Sequence, residues 1–149
     1  MNSSFAIGRR GESLFRRHFD KVRHATPEED MEDHWDLRLY CDVDIKTMKK
    51  VRRGDEAPDE NIHWLEIKNV HGKLGWLYGK ADYFAFETLR YWIVVDREDL
   101  QSWVKDNISK EFVEEPELYK LYQREGRADV LTLISTHDLS FLSSIILKK

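Results

Sequence analysis

From Trp35 to Thr47 apolar and polar positions alternate almost without a break. Trp35, Leu37, Leu39, Cys41, Val43 and Ile45 stand against Asp36, Arg38, Asp42, Asp44 and Lys46. Period two over that length predicts strand, here two strands joined by a tight turn around Tyr40–Asp42. Upstream the period changes: Leu14, Phe15, His18, Phe19 and Val22 recur at helical spacing. A first helix is therefore predicted from near Ser3–Ser4 to about Arg23. Ala25–Asp33, acidic and containing Pro27, reads as a connection.

After a polar loop with Gly54 and Pro58, a third strand is predicted over Ile62–Val70. It places Leu65 and Ile67 on one face and Trp64, Glu66 and Lys68 on the other. His71–Lys80 is a glycine-punctuated loop holding Trp76 and Tyr78. Tyr83–Phe86 and Tyr91–Val95 are short, nearly all-apolar runs, as expected of buried strands. Asp96 or Asp99 can cap a helix to about Ile108. A middle helix is expected over Glu114–Glu125, stopped by Gly126, then a strand Val130–Ile134. Thr136 is expected to cap a last helix, Asp138–Leu147. The order predicts an α/β fold: one domain over residues 1–149, a mixed sheet flanked by helices. Its core is placed at about 8–108, with a helix-strand-helix extension at 109–149.

Composition narrows the class. Of 149 residues, 41% are hydrophobic, enough for a core, so wholesale disorder is not expected. No apolar run is long enough for a membrane span and no secretory leader is read. The single cysteine, Cys41, excludes an internal disulfide and fits a reducing, cytoplasmic compartment. The net charge is −4, which argues against a generic polyanion binder, but the charge is unevenly spread. Six Lys/Arg lie between Arg9 and His24 against Glu12 and Asp20, and five more, without an acid, between Lys46 and Arg53. Asp96–Glu117 carries eight acids against Arg97, Lys105 and Lys110. Such polarity allows a basic face toward phosphate, although charge runs are more commonly solvated surface.

The expected hairpin concentrates chemistry. With a turn at 40–42, Asp36 lies opposite Lys46, and Asp36 and Asp44 become diagonal neighbours on one face. Two carboxylates so close repel unless a cation lies between them. Oxygen donors without Cys or paired His favour Mg²⁺ or Mn²⁺ over zinc. Lys46 projects from the same face, and Glu12, near Gly8 and Gly11, can point a further carboxylate from the first helix. Plain cross-strand salt bridges are the alternative for any one of these residues.

Glu12, Asp36 and Asp44-Ile45-Lys46, in this order, resemble the PD-(D/E)XK nuclease superfamily over roughly Gly8 to Asp96. The resemblance implies a restriction-endonuclease-like α-β-β-β-α-β core and metal-dependent hydrolysis of nucleic-acid phosphodiesters. It also implies metal binding by Asp36 and Asp44, support from Glu12, and orientation of the nucleophile by Lys46. Trp35 stands where the family often has proline. A second acid-x-lysine, Glu66-Ile67-Lys68, follows, so Asp44 with Glu66 and Lys68 is the competing assignment. Glu66 is expected close to Lys46 either way. Phosphate tracking falls to Arg9, Arg10, Lys49, Lys50, Arg52 and Arg53 on DNA. Lys73, Trp76, Tyr78 and Lys80 are candidates to enter a groove or stack on a base, or else to close the core. Double-strand cutting would call for a homodimer. The other reading is a nuclease-like fold that binds or inhibits without turnover.

Overall fold

The computed structural model describes residues 9–13, 16–17 and 21–149, which fall into two compact units, 1–41 and 42–149. In the first unit residues 9–13 are helical. Strand β1 (Lys21–His24) pairs antiparallel with β2 (Leu37–Tyr40), joined through a wide helical turn at Glu29–Asp33. Arg23 fastens that turn through two bonds of 2.9 Å to Glu29. This hydrogen-bonded pairing holds the Glu29 carboxyl down at about 2. Two guanidiniums lie near the Trp35 ring, with Arg23 Cζ at 4.6 Å and Arg38 Cζ at 4.7 Å from its centroid. The first helix was expected to reach Arg23. Lys21–His24 is strand instead, and Leu14, Phe15, His18 and Phe19 lie outside the described residues.

The second unit contains two four-stranded sheets. One runs in the order β10 (Ser143–Lys148), β6 (Tyr91–Asp96), β5 (Tyr83–Glu87), β3 (Val43–Lys46), with only the β5–β3 pair parallel. The other runs β4 (Ile62–Lys68), β9 (Val130–Ser135), β8 (Leu121–Tyr122), β7 (Phe112–Val113), with only β8–β7 parallel. Helix α1 (Arg97–Asn107) begins where Asp96 accepts from the Glu98 and Asp99 amides, and it buries Leu100 and Val104 one turn apart. Helix α2 (Thr136–Leu142) is capped by Ser135 rather than Thr136 and buries Leu139. Leu65, Phe84, Phe86, Ile93, Val95 and Ile134 from both sheets join these helical residues and Leu77 in one core. Among the described residues no helix is long and apolar enough to cross a membrane.

A mixed α/β architecture is therefore present, with four changes of detail. The hairpin at 35–47 does not form. Strand β2 takes β1 as its partner, while β3 lies parallel to β5 in the register Asp44–Phe84 and Lys46–Phe86. Reciprocal bonds at the start of β3 fix that choice: Asp42 N donates to Asp82 Oδ2 at 2.8 Å, and Asp82 N to Asp42 O at 2.9 Å. Nor does the middle helix at 114–125 form. Pro116 lacks an amide proton, Tyr119 sits at φ 65, and Leu118 and Leu121–Tyr122 meet β9 and β7 as extended chain. The last helix stops at Ser143, after which Ile145–Leu147 pair with β6. β-branched residues suit that pleated edge better than a helix turn. Residues 109–149 are thus woven into the second unit through β9, α2 and β10 rather than appended to it.

Candidate functional site

β3 is an edge strand turned against its own hydropathy. Val43 and Ile45 are 43% and 53% exposed, while the side chains of Asp44 and Lys46 are only 35% and 21% exposed. The parallel register explains the inversion. Asp44 and Lys46 lie beside the fully buried Phe84 and Phe86, on the core-facing side of the sheet. Charges so placed lose hydration and must be partnered. Lys46 Nζ accordingly sits 2.8 Å from Asp44 Oδ2 and 4.0 Å from the Trp76 ring centroid. A partly desolvated cation over an indole face gains about 1–2 kcal/mol.

The second carboxylate comes from β4. Trp76 N donates to Glu66 Oε1 at 3.2 Å, and Gly75 N donates to Ile67 O at 2.8 Å, which seats the turn Trp76–Tyr78 on the strand. A Cβ on Gly75 would lie 2.3 Å from the Glu66 carbonyl oxygen, so only glycine permits this approach. Trp76 packs edge-on against Phe84 at 5.0 Å, which keeps the indole between Lys46 and the core. Lys46, Glu66, Trp76 and His63 line one hollow of about 210 Å³. His63 Nε2 lies 3.0 Å from Thr136 Oγ1, which itself donates to the Glu60 carbonyl, so the ring nitrogen must donate. Burial pushes this imidazole down to about 4, a neutral ring.

A larger hollow, about 690 Å³, adjoins it and shares Lys49, Trp64, Glu66 and Trp76. Its walls carry Lys49, Lys50, Arg52 and Arg53 from the loop after β3, and Arg124 and Arg127 from the turn before β9. That loop is tied down where it leaves β3: Met48 N donates to Glu87 at 3.2 Å, and Trp64 Nε1 donates to Lys50 O at 3.1 Å. Trp64 and Tyr122 add neighbouring rings with centroids 6.0 Å apart. Glu115 and Glu125 also line the hollow, and Arg52 meets Glu115 at 3.5 Å.

Of the residues predicted from sequence, Lys46 and Glu66 share a hollow and Asp44 binds Lys46 directly. They do so from strands of different sheets, not from paired neighbours. Lys68 is exposed, pairs by its backbone with Val130 and lines neither hollow. Glu12 and Asp36 line a hollow of about 350 Å³ in the first unit, with Gly11 and Leu37. Arg9 and Arg10 are exposed in that unit. Lys73 and Lys80 are exposed and line neither hollow of the second unit, while Trp76 lines both. Sequence reasoning missed Trp64, Tyr122, Arg124 and Arg127. Arg124-Glu125-Gly126-Arg127, a cation pair around a turn glycine, was the available signal, hidden by assigning the segment to a helix end. Among the described residues no group of three or more His, Cys, Asp or Glu gathers as for a metal. No family model, curated protein or solved structure matches the chain.

Proposed function

We propose that this protein is a metal-dependent endonuclease of the PD-(D/E)XK type, with a restriction-endonuclease-like arrangement, hydrolysing phosphodiester bonds of DNA. The observation that carries the reading is the inward-facing pair Asp44–Lys46 on a strand whose apolar residues face out, with Glu66 in the adjoining hollow. Such an inversion of hydropathy opposes folding and is expected where function requires it. The donor chemistry suits Mg²⁺ or Mn²⁺: two carboxylates are few for an all-protein cage, but Mg²⁺ is commonly held by one or two carboxylates plus substrate phosphate. Asp44 and Glu66 would hold it, and it would supply Lewis-acid polarisation of a phosphate oxygen. Lys46 presents three donors, of which one meets Asp44. The others offset charge on the phosphate as water attacks phosphorus in line and the scissile P–O bond breaks. Trp76 keeps Lys46 in place, and its amide orients the Glu66 carboxylate. One copy carries one such site, so cutting both strands calls for a second copy.

One observation favours a binder without turnover. Lys46 already occupies a carboxylate of the set, and the described residues gather no three-acid cluster. Incubation with supercoiled, linear and branched DNA in Mg²⁺, Mn²⁺ or EDTA separates the two readings.

A further inference from the structure

We infer that the 690 Å³ hollow takes an unpaired DNA strand, stacking a base on the Trp64–Tyr122 pair beside Lys46 and Glu66. The inference deepens the nuclease reading by naming its substrate class, single-stranded rather than duplex DNA. Charge is the first argument. Lys49, Lys50, Arg53 and Arg127 line the hollow, and none has an ion-pair partner among the described residues. With Arg52 and Arg124 they make six basic side chains against Glu66, Glu115 and Glu125, a lining whose excess of positive charge suits a phosphate track.

Arg124 is held in place differently. Its Nε donates to Asp129 Oδ2 at 2.7 Å and its Nη2 meets the same oxygen. Asp129 is fully buried and its Oδ1 has no partner among the described residues. A carboxylate is thus desolvated to fix one guanidinium on the wall of the hollow, so little freedom remains to be lost on binding.

The rings decide strand against duplex. Bases inside a duplex hide their faces from aromatic side chains, whereas unpaired bases offer them. Trp76 is already capped by Lys46, so stacking falls to Trp64 and Tyr122. The Trp64 indole N–H is bonded to Lys50 O, which holds the ring in place at the mouth of the basic loop.

The test is fluorescence anisotropy in EDTA with a labelled oligothymidylate of about 15 nucleotides and a duplex of the same length. The oligothymidylate should bind at least about tenfold more tightly. Tyr122→Ala should weaken it about tenfold and Tyr122→Phe restore it, with duplex affinity nearly unmoved. Should Tyr122→Ala unfold, Arg53→Ala and Arg127→Ala read the same face, each lowering the single-strand salt slope by about 0.7. Equal or tighter duplex binding, a folded Tyr122→Ala protein that binds oligothymidylate as before, or salt slopes that do not move would overturn the inference. No metal is needed, so the outcomes separate. Intact DNA in Mg²⁺ and Mn²⁺ with a single-strand preference removes the nuclease reading alone. Cleavage without that preference removes only this inference.

Discussion

Gly75 lies so close over Glu66 that a methyl group on it would come 2.3 Å from the Glu66 carbonyl oxygen and 2.8 Å from its Cγ. The turn carrying Trp76 can therefore descend onto β4, where its amide takes the Glu66 carboxylate. From the same turn the indole meets Lys46. A backbone approach thus brings together the two acid-x-lysine motifs, which are 20 or so residues apart in the chain.

Gly75→Ala should force the turn off the strand. Overpacking of this kind costs about 1–3 kcal/mol. Urea unfolding should show that loss, and any cleavage should fall with it because Glu66 and Lys46 lose a shared support. Unchanged stability would mean the close approach is not maintained in solution.

The two lysines should differ sharply. Lys46→Ala should lower cleavage by about a hundredfold or more, the scale for one positioned contact to transition-state charge. Lys68 is exposed and lines neither hollow, so Lys68→Ala should be nearly silent. The opposite ranking in matched single-turnover assays would move the reacting lysine to β4.

Much of the second unit was legible in the sequence. The apolar runs at 83–86 and 91–95 carry a local signal and are strands; the strand expected over 62–70 ends at Lys68, and of the two candidate caps, Asp96 and Asp99, it is Asp96 that caps the helix. What failed was pairing. Alternation over Trp35–Thr47 assigns faces but names no partner, and the partners lie at 21–24 and 83–86. Nor does alternation say which face is covered: in β3 it is the charged one, because the neighbouring Phe84 and Phe86 face the core. The helix expected over 114–125 and the C-terminal part of the one expected over 138–147 are extended instead, because tertiary pairing with β9 and β6 overrides a weak local preference.

His63 should make stability fall in acid. Burial lowers its imidazole to about 4 from an ordinary 6.5, while Asp59 pulls weakly the other way. Between those values the unfolded chain binds a proton that the folded one excludes. The contribution is therefore complete above pH 6.5 and lost as pH falls toward 4. The full difference is on the order of 3 kcal/mol. Urea midpoints at pH 7 and pH 4 should converge on those of His63→Gln in acid. Parallel curves for the two proteins would show that His63 titrates normally.

Any DNA affinity should be steeply salt-dependent and local to the basic hollow. Replacing both Arg53 and Arg127 by Ala should reduce the slope of log K against log salt by about one to two units. Changing Lys73 and Lys80, which line neither hollow of this unit, should leave it nearly unmoved. The reverse would place the phosphate track on the 71–80 loop.

The most direct measurement is DNA cleavage by the wild type, Asp44→Asn and Glu66→Gln in Mg²⁺, Mn²⁺ and EDTA, with thermal melts run alongside. Both substitutions keep side-chain volume and remove one charge, so folding should survive. The wild type should cleave in either metal and not in EDTA, and neither folded variant should cleave. Intact DNA with the wild type in both metals, or undiminished cleavage by both variants, would overturn the nuclease assignment.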